Sequence, residues 1–378
     1  MRIVQVVPRG EQPWSGILTV IVHLSAALSK QGHEVQVWQL HTWGDVYEKH
    51  RRTMADAGVT QLPVAVGAPW WTLGRAVAGL VAERKIEVVH LHGAFNVWNT
   101  LISRALRGPY VFSPHSGYDP VSLRRSRTRK AVYGLLFERA MLTRASLIVA
   151  LTEVELAQLR AYGARTPAAV IPNGVDPAPV DIDAAVFRAE LGIGTDTPLA
   201  LFVGRLDVHR KGLDVLVRGI AEAPGWHLAL VGPRFRDVPR LEAMIEELSV
   251  VERVHIVGER HGRRLNEAFE AADIFALTSR WEGLPMVLLE ALSFGKPAVV
   301  SPALDRLVPI ARSGAGWVAE GGRLPAVLDE VAAGRGGGLR MRQEAARLLA
   351  RRYDWDSVAR QYRVAYERAR RSGKTVRR

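Results

Sequence analysis

The 378-residue sequence contains no cysteine. That excludes disulfides, thiolate metal sites and a cysteine nucleophile, and it suits a reducing compartment such as the cytosol. Long apolar runs are missing as well. The longest stretch without an acidic or basic side chain, Gln12 to Ser29, is interrupted by Pro13, Gly16, His23 and Ser25. Its mostly apolar part, Ile17 to Leu28, falls short of the about 20 residues that span a bilayer and reads as a buried helix. Met1–Pro8 reads as a short strand, without the basic head and apolar core of a leader. The turn after it lacks the Gly-x-Gly-x-x-Gly spacing that a dehydrogenase needs there. Zinc-finger spacing, aromatic-basic RNA motifs and repeats of about 20–50 residues are absent too, so no specific nucleic-acid partner is expected.

What the sequence has is positive charge, unevenly placed. The net charge is +13. Arg104–Arg144 carries nine basic and two acidic residues, and Arg340–Arg378 thirteen and four, which leaves the remainder slightly acidic. Such segments suit anionic membrane, nucleic acid or phosphorylated substrates, and equally the solvated faces of helices. Within the first, Arg124-Arg-Ser-Arg-Thr-Arg-Lys130 leads into Ala131–Leu142, apolar on one side. A basic helix of that kind could rest on anionic lipid.

The hydrophobic pattern is strand then helix, repeated. Arg2–Val7, Glu34–Leu40, Glu87–Leu91, Tyr110–Ser113 and Ser146–Leu151 are near-continuous apolar runs, the mark of parallel strands buried on both faces. The pattern restarts with Leu199–Val203, His227–Val231, Arg253–Val257, Ile274–Leu277 and Ala298–Ser301, with Lys211–Ala223, Val238–Leu248 and Pro285–Phe294 as helices between them. Asp176–Pro198 reads as the linker. The predicted architecture is therefore α/β, two Rossmann-like parallel-sheet domains facing each other across a cleft, with ligands bound at the carboxyl ends of the strands.

Two constellations follow strands of the second series. Glu282-Gly-Leu-Pro-Met-Val-Leu-Leu-Glu290 places two carboxylates around a helix start. Gly283 permits close backbone approach, and the helix turns free amides and its positive dipole end toward a ligand. Paired carboxylates suit polyol recognition. Phe202-Val-Gly-Arg-Leu206 and His209-Arg-Lys-Gly212 place Arg205 and Lys211 about one turn, where they could converge on a diphosphate. Taken singly, each is also readable as ordinary surface charge.

Taken together they resemble glycosyltransferase family 4, the group 1 glycosyltransferases of the GT-B fold. Further matches are Ile171-Pro-Asn-Gly-Val-Asp176, Leu230-Val-Gly232, Ala272-Asp273, Gly295-Lys-Pro297 and Tyr353-Asp-Trp355, in the family's order from about residue 1 to residue 370. The resemblance implies an acceptor-binding domain 1–175, a donor-binding domain 176–354, and a C-terminal helix, 355–378, crossing back to the first. It implies transfer of a hexose-type sugar, with retention at the anomeric carbon, from a nucleotide-diphosphate sugar to an acceptor hydroxyl. Bacterial cell-surface polysaccharide or glycolipid synthesis is the expected setting, on the cytoplasmic side of the membrane, with a sugar or lipid-linked sugar as acceptor. No cofactor and no metal are expected. Glycosylation of a small molecule, or nucleotide-sugar binding without catalysis, remain alternatives.

The resemblance also assigns residues. Arg205 and Lys211 would bind the donor diphosphate beside Gly204. Glu282 would contact hydroxyls of the transferred sugar and Glu290 the ribose. Amides near Gly283, Leu284 and Met286 would reach sugar or phosphate, and Gly258 and Arg260 would lie near the base. Pro285 stands where many relatives have glycine, so one amide donor is missing. In the first domain Gly16 matches one of the family's paired glycines, with Ser15 in place of the other. His115 matches a histidine beside the transferred sugar. His92, at a strand end, is expected to touch acceptor, and His90 to pack. Asp181/Asp183 and Asp354/Asp356 read as caps or loop charges rather than metal ligands.

Overall fold

Continuous apolar runs of four to six residues form strands because, when buried on both faces, every side chain meets apolar neighbours. The computed structural model describes residues 1–8, 16–40, 48–64, 70–124, 126–334 and 337–372. The turn expected to carry Ser15, the Arg125 position of the basic stretch, and residues 373–378 of the basic C-terminal segment lie outside the described residues. The chain divides into two compact units, Met1–Gly174 with Trp355–Arg378, and Val175–Asp354.

The first unit is built on β1 (Arg2–Val7), β2 (Glu34–Gln39), β3 (Thr60–Pro63), β4 (Val88–His92), β5 (Tyr110–Ser113), β6 (Leu147–Ala150) and β7 (Ala168–Val170). They form one parallel sheet in the order β3-β2-β1-β4-β5-β6-β7. Ile3, Val4, Val6 and Val7 of β1 are wholly buried, and Val6 stands in register with Trp38 and Leu91. Helix Gly16–Lys30 buries Leu18, Val20, Ile21, Val22 and Leu24, so it is apolar nearly all round, as a core helix is. Helix Trp355–Arg371 packs against it and against β4, β5 and β6. Its buried positions Val358, Tyr362, Ala365, Tyr366 and Ala369 follow the three-and-four spacing of one helix face. The Trp355 ring fills the space where a side chain at Gly174 would have to sit.

The second unit carries β8 (Leu199–Val203), β9 (His227–Val231), β10 (Val254–Gly258), β11 (Ile274–Leu277), β12 (Ala298–Val300) and β13 (Gly316–Val318). Their order is β10-β9-β8-β11-β12-β13, again parallel. In each sheet the first strand is flanked by the second on one side and by a later strand on the other. Loops leaving the carboxyl ends of β1 and β4, and of β8 and β11, therefore part company, and open sheets bind ligands at such a point.

One buried ion pair ties the start of the second unit to its sheet. Arg188, on helix Ala184–Glu190, reaches Asp273 at 3.1 Å and the carbonyl oxygens of Ala271 at 3.0 Å and of Gly194 and Thr197 at 2.8 Å. Asp273 also accepts from the Leu199 amide at 2.8 Å, at the foot of β8. Losing Arg188 would take the guanidinium from Asp273 and the donor from three carbonyl oxygens, a loss of about 1–3 kcal/mol. Arg188→Ala should accordingly lower the urea midpoint of the transition that unfolds this unit; an unchanged midpoint would show that the pair holds nothing.

Candidate functional site

The switch point of the second unit gathers both constellations. At the end of β8 comes Gly204, then Arg205, Leu206 and Asp207. The Asp207 carboxylate accepts from the Arg210 amide at 3.0 Å and caps a single turn, Val208–Lys211. The sequence reads Lys211–Ala223 as one helix. The structure instead ends the turn at Lys211 and starts a new helix, Leu213–Glu222, after Gly212. Gly212 sits at φ +67°, and a Cβ there would run into the Thr278 carbonyl. The Thr278 hydroxyl donates to the Gly212 carbonyl at 2.8 Å. Thus the turn that bears Lys211 lies against the end of β11 because residue 212 lacks a side chain.

Arg280 fastens the same two segments. It donates to both carboxylate oxygens of Asp214, at 2.9 and 2.7 Å, and to the His209 carbonyl at 2.6 Å, while its amide donates to the Arg210 carbonyl at 2.9 Å. Burial opposes ionisation of Asp214, and the paired guanidinium outweighs it, holding that carboxyl below its usual range.

Between these anchors lies Glu282, only 7% exposed at its side chain. Its Oε1 accepts from Lys211 Nζ at 2.5 Å and from the Ser279 hydroxyl at 3.0 Å, and its Oε2 accepts from Arg210 Nη2 at 3.3 Å. Burying a carboxylate is costly unless it is paired and hydrogen-bonded, and these three donors supply that. Lys211 itself is 15% exposed, and its aliphatic arm passes Gly204, where a Cβ would lie 3.8 Å from Lys211 Cε. Arg205 makes a different contact: it is exposed, with its guanidinium over the Phe235 ring at 5.3 Å. Lys211 thus pairs with Glu282, which has Arg210 as its second cation.

The other donor-side residues are placed as follows. Helix Met286–Ser293 starts after Pro285, which stands just outside it and offers its first amides no side-chain cap. Gly283 is half-buried, Leu284 buried, and Glu290 half-buried two turns along. Gly258 ends β10 at φ +83°, with open space where a side chain would be. Arg260 is held by the Glu190 carboxylate and by the Glu259 carbonyl at 3.3 Å. Asp183 caps helix Ala184–Glu190 through the Ala185 amide at 2.9 Å.

The first unit has its own polar cluster at the ends of β4 and β5. His115 and Ser116 both take left-handed backbone, φ +51° and +63°. The Glu155 carboxylate holds that turn through the Ser116 amide at 2.5 Å and the Leu151 amide at 2.6 Å. His115 Nε2 lies 2.9 Å from His92 Nδ1, and His92 Nε2 lies 2.8 Å from Gln5 Oε1. His92 is wholly buried with both ring nitrogens engaged. The acceptor contact expected of it is corrected to a place behind His115. Burial pushes His115 down to about 4 and His90 and His92 well below their ordinary value, so all three rings are neutral near pH 7. Gly16 opens its helix, and among the described residues no neighbour forces glycine there. Among the described residues no group of three His, Asp or Glu is arranged to hold a metal ion.

Two family models match the chain: Glycosyltransferase Family 4 over residues 14–179 and Glycosyl transferases group 1 over residues 183–331. The chain belongs to the group 1 glycosyltransferases. It is 33% identical over 238 residues to a D-inositol 3-phosphate glycosyltransferase of Xylanimonas cellulosilytica, a match covering 59% of this chain and 57% of that one. The match thus spans little more than half the length of that relative. A GDP-mannose:cellobiosyl-diphosphopolyprenol alpha-mannosyltransferase of Xanthomonas campestris is 26% identical over 318 residues, 80% of this chain and 79% of that one. Among solved structures, Anabaena HepE in complex with UDP superimposes with a TM-score of 0.76 at 19% identity, covering 97% of this chain and 100% of that one. That likeness is one of fold: the GT-B arrangement of two Rossmann-like domains.

In this group 1 glycosyltransferase the basic stretch is not one helix. Helix Pro120–Arg124 ends before Ser126, at φ +58°, and Arg127–Tyr133 continues through a wider turn, Gly134–Glu138, into Arg139–Arg144. Lys130 turns inward, to the Ser122 carbonyl at 2.5 Å and the Phe95 ring at 5.0 Å. Arg124, Arg127 and Arg129 stay exposed beside Val132, Leu135 and Leu136, which are 55%, 68% and 54% exposed. Among the described residues no helix is long and apolar enough to cross a membrane.

The wider turn buries Glu138, whose Oε1 accepts from the Phe95 amide at 2.9 Å and the Tyr118 hydroxyl at 2.5 Å, while Oε2 has no partner among the described residues. Burial raises its pKa despite these bonds. A carboxyl raised in the folded state contributes stability below its unfolded value and loses it as pH rises through the folded one. Glu138→Gln carries no such loss. Its unfolding free energy relative to the natural protein should climb from pH 4 to pH 8; a flat or falling difference would contradict this burial.

Proposed function

We propose that this chain transfers a hexose-type sugar, with retention, from a nucleotide-diphosphate sugar to an acceptor hydroxyl. The observation that carries the reading is the Lys211–Glu282 pair at the β8/β11 switch point, beside a helix start that its N-cap residue, Pro285, leaves without a side-chain cap. The cation meets phosphate, the carboxylate meets sugar hydroxyls, and the amides of Gly283, Leu284 and Met286 meet the oxygens between them. HepE binds UDP, and the Xanthomonas relative is named for GDP-mannose, which supports a nucleotide-sugar donor.

In the reaction the bond from the anomeric carbon to the phosphate oxygen breaks, and its electron pair leaves on the diphosphate. Lys211 and the helix dipole stabilise that charge as it develops, and Arg205 swings from Phe235 to join them. The acceptor oxygen bonds to the anomeric carbon on the face the diphosphate left. Its proton passes to the departing phosphate oxygen. Glu282 holds the sugar hydroxyls through an oxocarbenium-like state, and Glu290 the ribose. Gly258 and Arg260 flank the base, Gly204 leaves room for phosphate, and Gly16 leaves room for the acceptor. His115 meets a substrate hydroxyl. No metal or cofactor enters this scheme.

Exposed Arg124, Arg127 and Arg129, each worth about 1 kcal/mol beside anionic lipid, and the apolar Val132, Leu135 and Leu136 fit a membrane surface. A lipid-linked sugar acceptor on the cytoplasmic side, in polysaccharide or glycolipid assembly, follows from that.

Three outcomes test the reading. Lys211→Ala and Glu282→Ala should each lower kcat by about 10²-fold or more with unchanged circular dichroism; turnover within a few-fold of the natural protein would contradict the site. Proton NMR of the product should show the donor's anomeric configuration, and an inverted product would overturn the mechanism. Reversing Arg124, Arg127 and Arg129 to Glu should abolish sedimentation with anionic liposomes at low salt while leaving donor hydrolysis intact; a natural protein that ignores such liposomes would remove the membrane proposal.

A further inference from the structure

A chain of polar groups runs through the core of the first unit, and it ends on His115. Ser113 Oγ lies 2.8 Å from His90 Nε2, and His90 Nδ1 lies 2.9 Å from the Tyr366 hydroxyl. Gln5 Nε2 donates to that hydroxyl at 2.9 Å, and Gln5 Oε1 faces His92 Nε2 at 2.8 Å. His92 Nδ1 then meets His115 Nε2 at 2.9 Å. Gln5, His90, His92, Ser113 and Tyr366 are all wholly buried, so no water competes for these bonds.

The donors and acceptors can be assigned in sequence. Each ring is neutral and carries a single proton. The Gln5 amide oxygen can only accept, so His92 carries its proton on Nε2. His92 Nδ1 must then accept, so His115 donates from Nε2. The Gln5 amide nitrogen can only donate, so the Tyr366 hydroxyl accepts from it and passes its own hydrogen to His90 Nδ1. His90 in turn donates from Nε2 to Ser113. One amide orientation therefore fixes three imidazoles in one tautomer.

We infer that His92 and Gln5 are positioning residues that hold His115 as the Nε2–H tautomer, so that its Nδ1 presents a lone pair to a hydroxyl of the substrate. The substrate part of this inference rests on the glycosyl-transfer reading above; the tautomer does not. Among the described residues only Nε2 of His115 has a hydrogen-bond partner, and the left-handed turn held by Glu155 fixes where the ring stands. Helix Trp355–Arg371 enters the same argument. Its Tyr366, 361 residues from Gln5 in the chain, orients the Gln5 amide and hence the tautomer.

The test is long-range proton–nitrogen NMR of the full-length protein labelled on its histidine rings, with His115 assigned by its loss in His115→Gln. The natural protein should show His115 neutral near pH 7 with its proton on Nε2. His92→Asn keeps an acceptor toward His115 and should preserve that signature. His92→Phe fills the same space without an acceptor and should give a mixed tautomer. The backbone of residue 92 is held independently, by Asn99 Nδ2 at 2.7 Å. In donor turnover, His92→Phe should lower kcat/KM about tenfold, the worth of one hydrogen bond, and His92→Asn should restore it. Finding the His115 proton on Nδ1 in the natural protein would overturn the inference, whether or not any variant folds. An identical His115 signature in folded His92→Phe would overturn it too. A correct tautomer with no turnover on any nucleotide sugar would instead remove the proposed reaction.

Discussion

A buried carboxylate in contact with a cation ties the donor half together. Glu282 comes from the end of β11 and Lys211 from the end of β8, 71 residues earlier, and their 2.5 Å contact makes one site of two loops. Burial is what makes the contact obligatory. A carboxylate that is 7% exposed is costly to bury unless it is paired, and Lys211, Arg210 and Ser279 together pair it. The supports around it serve that end. Gly212 lets the Lys211 turn lie against Thr278, and Arg280 clamps Asp214 and two carbonyls of the same turn. In the proposed reaction the diphosphate would take the lysine and the sugar hydroxyls the carboxylate, so neither charge would be left without a partner.

The first unit answers the same problem with neutral groups. Its rings sit deeper, and burial keeps them uncharged. Direction is then carried by which atom donates. That is why a glutamine on β1 and a tyrosine on the last helix matter to a histidine after β5.

The central strands of both sheets were legible because a strand buried on both faces writes itself as an apolar run. Of the four edge strands only Val254–Gly258 was. Thr60–Pro63 is partly exposed, while Ala168–Val170 and Gly316–Val318 are three residues long, so none yields a continuous run. The motif glutamates and lysine were found through their resemblance to a family, and their meeting could not be read from spacing. Arg210 lay in plain view between His209 and Lys211, and only its 3.3 Å contact with Glu282 gives it a place in the site. The depth of His92 was not legible, because a place at a strand end does not report what surrounds the ring, here Gln5, His90 and His115. Likewise the helix read as Lys211–Ala223 breaks at Gly212, since local propensity does not report the approach of Thr278.

The central claim is that Lys211 binds the diphosphate of the donor. Titration calorimetry of the unliganded protein with a nucleoside diphosphate and with the matching monophosphate, for the bases uracil, guanine and adenine in turn, measures it directly. The account predicts that at least one diphosphate binds more tightly than its monophosphate by about tenfold or more, the worth of one charge-assisted hydrogen bond, and that Lys211→Ala erases the difference. Equal affinity for the two nucleotides, or a preference that survives loss of the lysine, would contradict it.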